Sequence, residues 1–322
     1  MSLAPADRIY VAGHSGLVGS ALVRALQAAG YRNLLLRSHA ELDLLNGNAV
    51  RAFFAAERPR HVLFAAAKVG GIFANDNYPA EFAYQNLLMQ SHVIHESWRT
   101  GVERLLFLGS SCIYPRNCPQ PMKEEYLLTG PLEPTNRAYA IAKIAGIETC
   151  WSYNRQHGTR YLSVMPTNLF GLGDHYDLQT SHVLPALIRK MHEAKQRGEH
   201  EVGVWGTGTP RREFLFSDEM AEACLFLMTL PDERFAELVR PDRLPLVNIG
   251  AGKDLTIREL AELVASVVGF EGSLAFDASK PDGTPRKLLD VSYLASLGWR
   301  SRLPLRSGVE LAYKDFLASV AK

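Results

Sequence analysis

The sequence predicts an α/β protein built on a doubly wound parallel sheet, with a smaller C-terminal lobe. Three observations carry that expectation. Short apolar runs alternate with helix-length amphipathic segments from Arg8 to about Asn168, a glycine-rich turn follows the first run, and the rhythm loosens after Pro166. The buried-strand candidates are Arg8–Ala12, Leu34–Leu36, His61–Ala67, Arg104–Gly109 and Tyr161–Met165. Strands covered on both faces read as continuous apolar runs of this kind rather than as alternating ones. Between them lie helix-length segments such as Pro79–Thr100 and Ala138–His157.

Past Pro166 the pattern gives helices over His182–Arg197, Ser217–Leu230 and Thr256–Val268 and strands over Val202–Trp205 and Val247–Ile249. A stretch containing Pro and Gly, Lys280–Arg286, follows. Residues 8–170 are therefore expected to form a nucleotide-binding domain. Residues 171–322 should form mainly a second lobe, with some elements interleaved back into the first. The long polar loop Pro115–Asn136 reads as a lid or binding loop beside a strand end. No repeat or low-complexity segment interrupts the pattern.

With 322 residues, 47% of them hydrophobic, the chain can bury a sizeable core. Lys+Arg of 35 against Asp+Glu of 34 leaves a net charge of +1, so no global field draws the protein to nucleic acid or to an anionic membrane. The first residues, MSLAPADRIYVAG, lack the basic segment and long apolar run of a signal peptide, and no later stretch has the length to span a bilayer. A cytoplasmic location is the resulting expectation. Cys112, Cys118, Cys150 and Cys224 form neither a CxxC pair nor a Cys/His cluster with zinc spacing, so neither disulfides nor a structural metal are expected.

The first strand runs directly into Gly13-His14-Ser15-Gly16-Leu17-Val18-Gly19, and a helical pattern continues through Leu22, Val23 and Leu26. Strand, glycine turn and helix in that order suit a dinucleotide. The glycines allow a tight turn and close approach of a pyrophosphate, whose charge meets the free N–H groups of the helix N-terminus. At the end of the second strand an NAD site usually carries an acidic residue, whereas this chain has Arg37-Ser38-His39, a basic pair that suits a 2′-phosphate. NADP(H) is thus favoured over NAD, although a solvated strand end would look the same. Asp43 and Leu44 lie where adenine contacts could sit, and Asp43 would equally serve as a helix N-cap.

Tyr139 and Lys143 stand four residues apart, hence on one face of a helix and one turn from each other. An ammonium beside a phenol lowers its pKa and lets tyrosine pass a proton to or from a carbonyl or alcohol. Upstream, the strand ending in Leu108-Gly109 is followed by Ser110-Ser111, at the carboxyl end where ligands of a doubly wound sheet bind.

Glycine loop, strand-end serine and Tyr-x-x-x-Lys in this order resemble the extended short-chain dehydrogenase/reductase family, a Rossmann-fold family whose members mostly remodel nucleotide sugars. Longer strings are similar to one branch of it: Ala65–Ile72 (AAAKVGGI), Leu108–Pro115 (LGSSCIYP), Leu132–Asn136 (LEPTN), Met165–Leu169 (MPTNL) and Phe276–Lys287 (FDASKPDGTPRK). That branch epimerises C3 and C5 of GDP-4-keto-6-deoxy-D-mannose and then reduces the C4 ketone with NADPH. By resemblance, Ser110, Tyr139 and Lys143 are the reductase triad, and Pro166, Thr167, Asn168 and Leu169 border the nicotinamide. Cys112 is the base that removes the protons beside the ketone. His182, also beside the cofactor, is the acid that returns them. Lys190, Trp205, Arg212 and Asp282 hold the nucleotide. A homodimer built from two long helices of each subunit is implied as well.

Read from the residues alone, Cys112 would be a small buried apolar side chain, His182 a helix-end histidine, Trp205 core and Lys190 a solvated helix face. One departure concerns the cofactor: bacterial relatives often carry arginines at the places of Ser15 and His39. A related 4,6-dehydratase would be expected to carry an acidic residue soon after the strand-end hydroxyl, where this chain has Ser111 and Cys112. A cofactor-binding regulatory protein that had lost catalysis would usually lack a triad residue, and all three are present.

Overall fold

The computed structural model describes residues 3–320 except 179 and 281, so Pro281 of the last string above lies outside the described residues. The chain begins with β1 (Ile9–Ala12), α1 (Leu17–Ala28), β2 (Leu34–Leu35), α2 (Gly47–Glu57) and β3 (His61–Phe64). It continues through α3 (Ile72–Asn77), α4 (Pro79–Arg99), β4 (Arg104–Leu108), α5 (Arg137–His157), β5 (Tyr161–Pro166) and β6 (Asn168–Phe170). Next come α6 (Val183–Arg197), β7 (Glu201–Trp205), β8 (Arg211–Phe216), α7 (Ser217–Thr229), α8 (Asp232–Leu238), β9 (Leu246–Ile249) and β10 (Asp254–Thr256). The last elements are α9 (Ile257–Val268), β11 (Ser273–Asp277), β12 (Arg286–Lys287), α10 (Ser292–Leu297) and α11 (Leu305–Val320).

Six strands form one parallel sheet in the order β2-β1-β3-β4-β5-β9. Every residue of β1, β3, β4, β5 and β9 is buried, because helices cover both faces, and this is why these strands read as unbroken apolar runs. The chain leaves β1 for β2 on one side and returns to β3 on the other. A crevice opens at that reversal, outside the carboxyl ends of β1 and β3, where such sheets bind ligands. Strand β3 stops at Phe64 rather than running on to Ala67, since the turn after β1 presses against the backbone of Ala65 and Ala66.

Helices α4 and α5 lie side by side against the sheet. Gly146 permits the close approach of α5: a Cβ there would fall 2.4 Å from Phe107 Cζ. That contact sets the height of the α5 segment carrying residues 139 and 143 above the end of β4. On the opposite face α1 packs on α7, an element from the C-terminal half, and β9 from the same half closes the main sheet beside β5. The halves are interleaved because the exposed edge of β5 and the apolar face of α1 each need a partner that the first half does not provide.

The remaining elements form a lobe of short strands (β6 and β10 and β12 around β8, and β7 with β11) packed against α6, α9 and α11 through Leu187, Ile188, Met191, Leu260, Val264 and Phe316. The loop of residues 115–136 differs from its expected lid character. Met122 N donates to Leu288 O at 2.7 Å, Asp290 N donates to Met122 O at 2.8 Å, and Met122 and Leu127 are buried in the core. Two apolar anchors and a short ladder make it a fixed strap tying the two halves together. Among the described residues, no helix is long and apolar enough to cross a membrane and no group of three or more His, Cys, Asp or Glu is placed to hold a metal.

Candidate active site

Gly13 adopts φ +82°, and a Cβ on it would lie 2.7 Å from Ala66 N. A Cβ on Gly19 would lie 1.9 Å from Gly13 O, so helix and turn meet only because both positions are glycine. Gly16 is the N-cap of α1 and supplies no side-chain acceptor, no acidic residue stands in the first turn, and Ser15 and Gly16 are exposed. The N–H groups opening α1 at Leu17 and Val18 therefore face the crevice with the positive end of the helix, a cradle that fits a pyrophosphate. His14 Nδ1 is buried and has no hydrogen-bond partner among the described residues.

The rest of that side is more committed than the sequence suggested. Arg37 pairs with Glu57 through Nη2 at 2.7 Å, donates from Nη1 to Leu36 O and lies over the Phe53 ring. His39 is exposed and stands 3.5 Å from Asp43. Asp43 does not cap the next helix: it accepts from Leu45 N at 2.9 Å, and Asn46 caps α2 by accepting from Ala49 N. The Leu44 side chain is buried in the core, which leaves only its backbone for a ligand.

At the carboxyl end of β4 the reactive groups come together. Gly109 faces Met165 so closely that a Cβ would overlap its Cε, and Ser110 then opens the short turn containing Ser111 and Cys112. The Ser110 hydroxyl accepts from Cys112 N at 3.4 Å and lies within electrostatic reach of both the Tyr139 phenol and the Cys112 thiol. Lys143 is buried, with Nζ donating to Leu108 O at 2.7 Å and lying 5.7 Å from the Tyr139 ring centroid.

Electrostatics here depart from the sequence expectation. Burial, with the nearby Cys112 adding to it, pushes the Tyr139 phenol well above its ordinary value, against the opposing influence of the Ser110 hydroxyl. The expected lowering by Lys143 does not prevail, because the ammonium is turned to a backbone carbonyl and is itself held down to about 8 by burial, with Cys112 opposing. The phenol thus rests protonated, the state of a proton donor. Burial likewise raises the Cys112 thiol, while Lys287, the Ser110 hydroxyl and Lys143 pull it back.

Thr167 Oγ1 and Asn168 Nδ2 both donate to Glu213 O, at 3.1 and 2.8 Å, which fixes the run from Pro166 through Leu169 beside the end of β5. The facing wall comes from the second lobe. His182 is the N-cap residue of α6 and makes no capping bond. Its ring is accessible to solvent yet ringed by protein, and burial, Lys287 and His175 hold it below the ordinary histidine value. Trp205 is 51% exposed, so it is not core, and the ammonium groups of Lys190 and Lys280 lie 5.6 and 5.7 Å from its ring centroid. Lys190 also donates to Gly203 O at 3.1 Å, and burial lowers its pKa.

Arg212 is held down to about 10 by burial, with Asp282 and Glu133 opposing, and its Nη2 donates to Asp282 O at 3.1 Å. The Asp282 carboxylate accepts from Thr207 N and Thr207 Oγ1, at 2.8 and 2.9 Å, and so fastens the turn between Trp205 and Arg212.

Two residues the sequence reading passed over complete the wall. Lys287 on β12 pairs in register with Arg212 on β8 and lies within electrostatic reach of Cys112, Arg212 and Glu133. Glu133 is buried and pairs with Arg116 at 3.2 Å. Both sit inside strings already noted for their resemblance, LEPTN and FDASKPDGTPRK, which was the available signal. Their convergence depends on strand pairing across some 75 residues of sequence, which no local pattern reveals.

Comparison with known proteins places the chain by family and by fold. The family model described as the NAD dependent epimerase/dehydratase family matches residues 9–239. The chain is 56% identical over 313 residues to GDP-L-fucose synthase 1 of Arabidopsis thaliana, covering 97% of this chain and 94% of that one. Among solved structures it resembles a GDP-6-OMe-4-keto-L-xylo-heptose reductase from C. jejuni, with TM-score 0.93 and 38% identity over 99% of this chain and 100% of that one. It also resembles a GDP-L-fucose synthetase from Naegleria fowleri bound to NADP, with TM-score 0.88 and 26% identity over 100% and 97% of the two chains.

Proposed function

Because the chain belongs to the NAD dependent epimerase/dehydratase family, we propose that it converts GDP-4-keto-6-deoxy-D-mannose into GDP-L-fucose, by epimerising C3 and C5 and reducing the C4 ketone. One observation supports this most: the Ser110 hydroxyl lies beside both the Tyr139 phenol and the Cys112 thiol, so proton transfer at C4 and at its neighbours is organised from one point. Identification of the sugar formed from that substrate and NADPH tests it.

The cofactor is NADP(H), which supplies the hydride delivered to C4. The ketone acidifies C3 and C5, Cys112 takes their protons, and His182 returns protons on the other face. Ser110 and Tyr139 steady the enolate oxygen. Tyr139 then protonates the C4 oxygen, and the resulting tyrosinate is stabilised by Ser110 and by the Lys143 charge. Arg212 and Lys287 meet the diphosphate, Trp205 offers its exposed face to the base, and Asp282 holds the turn that presents them. On this reading residues 8–170 hold the dinucleotide and residues 171–322 chiefly the GDP-sugar. A homodimer through the outer faces of α4 and α5 is part of the same proposal, supported by the exposed Tyr84, Leu87 and Ile141 on those helices.

Cofactor choice gives the first expected result. A charge-assisted contact to the 2′-phosphate contributes about 1.5–3 kcal/mol, so one or two contacts favour NADPH over NADH by about tenfold to a few hundredfold in kcat/KM. Glu57→Gln releases Arg37 from its pair and should increase that preference. Equal kcat/KM for the two cofactors in the parent protein contradicts the assignment.

A further inference from the structure

We infer that Glu213 is a positioning residue for the diphosphate end of the substrate: its carboxylate holds the segment that sets Lys287 beside Arg212. This rests on the GDP-sugar reading above. Glu213 lies within β8, is 0% exposed and takes no part in the proton transfers. An ionised carboxylate is costly to bury, and burial raises its pKa against the N–H groups of Leu289 and Gly252. A group that is costly to keep out of water points to a task that an apolar side chain could not perform.

Strand β8 changes neighbour at this residue. Arg211 and Arg212, before it, pair with Arg286 and Lys287 of β12, whereas Phe214, Leu215 and Phe216, after it, pair with Asn168, Leu169 and Phe170 of β6. Glu213 fills the break with its own groups. Its carbonyl oxygen accepts from Thr167 Oγ1 and Asn168 Nδ2, at 3.1 and 2.8 Å. Its carboxylate holds two further segments: Oε2 accepts from Leu289 N at 3.0 Å, and Oε1 accepts from Gly252 N at 2.6 Å in the turn after β9. A Cβ on Gly250 would overlap Oε1, so that turn is shaped around the carboxylate.

Leu289 stands two positions after Lys287, and the residue between them is fastened to the strap: Leu288 N donates to Gln120 Oε1 at 2.9 Å, and Leu288 O accepts from Met122 N at 2.7 Å. Leu289 N is buried, needs a partner and has it in Glu213. The chain just beyond Lys287 is thus held by the strap and by β8 at successive residues. Glutamine could not replace this carboxylate, because both oxygens accept here and one end of an amide only donates. Its NH2 group would meet the N–H of Leu289 or of Gly252, and the segment carrying Lys287 would lose its register with Arg212. The carbonyl contacts to Thr167 and Asn168 survive a change of side chain, so the nicotinamide wall should stay in place.

The test is calorimetric binding of GDP and, separately, of NADPH to the full-length parent protein, to Glu213→Gln, to Lys287→Ala and to the double variant. Lys287→Ala removes a charge-assisted contact to the diphosphate and should weaken GDP by about tenfold or more. Glu213→Gln should weaken GDP by about fivefold and leave NADPH affinity within about twofold of the parent's. Because Glu213 acts through Lys287, the double variant should bind GDP at most about twofold more weakly than Lys287→Ala alone, a non-additivity that general loosening of the fold would not produce. Gly250→Ala keeps the carboxylate but displaces it; it should reproduce the Glu213→Gln pattern, alone and with Lys287→Ala, and carries the test if Glu213→Gln fails to fold. Losses that multiply in the double variant, or a loss of NADPH affinity as large as that of GDP, overturn the assignment. So does GDP binding that is unchanged in Lys287→Ala, or in both Glu213→Gln and Gly250→Ala. The expected pattern without turnover of GDP-4-keto-6-deoxy-D-mannose would instead uphold the role of Glu213 and reject the proposed reaction. No binding of GDP by the parent would reject both.

Discussion

Replacing Tyr139 by Phe should abolish reduction of the C4 ketone while leaving NADPH binding and thermal unfolding close to those of the parent protein. The phenol is the proton donor proposed for the C4 oxygen, and a positioned general acid contributes about 10²–10⁴-fold. Its ring packs edge-on against Phe82, a contact phenylalanine preserves, and only the hydroxyl beside Ser110 is lost. Lys143 sharpens the expectation. Burial brings its pKa down to about 8, so it loses its charge as pH rises through that value, and reduction should decline there because the nascent tyrosinate loses its cation. Stability changes the other way: the folded state releases this proton at lower pH than the unfolded state does, so this group's burial penalty is present below about 8 and fades as pH rises towards the ordinary lysine value. Single-turnover NADPH oxidation across pH, with calorimetry, checks both. Full turnover by Tyr139→Phe would remove the reductase assignment.

Cys112→Ser should separate the two halves of the reaction. Serine keeps the shape and the contact with Ser110, but its hydroxyl ionises far above operating pH, so epimerisation should fall by orders of magnitude. The buried Cys112 thiol is already raised, and it relies on Lys287, Ser110 and Lys143 to reach the thiolate, which makes the site intolerant of a still weaker acid. Ser110, Tyr139 and Lys143 remain. The variant should therefore oxidise NADPH slowly and release an unepimerised GDP-6-deoxyhexose, distinguishable by proton NMR. GDP-L-fucose made at the parent rate would mean that Cys112 is a buried structural thiol.

Much of this site is legible in one dimension because its chemistry depends on local spacing. Gly13 and Gly19 are readable since a tight turn against a strand leaves no room for a Cβ, and Tyr139 and Lys143 since one helical turn brings them together. What stayed illegible depends on distant pairing. Arg37 looks like a free phosphate ligand in the sequence and is half-committed to Glu57, twenty positions away. Lys287 reaches the site only because β12 joins β8, and the strap of residues 115–136 reads as a lid or binding loop until Met122 is seen hydrogen-bonded to Leu288 and Asp290. Even the Tyr139–Lys143 pair misled on one point: spacing predicts proximity correctly but not which way the ammonium turns, and burial outweighs its charge.

The central claim is that one site both epimerises and reduces. Its most direct test is conversion of GDP-4-keto-6-deoxy-D-mannose by the parent protein with NADPH in deuterated water, followed by mass spectrometry and proton NMR of the sugar. A C3 or C5 proton taken by Cys112 exchanges with solvent, so the account predicts GDP-L-fucose carrying deuterium at both carbons. A reduced GDP-sugar with carbon-bound deuterium at neither position would contradict it and leave a simple ketoreductase.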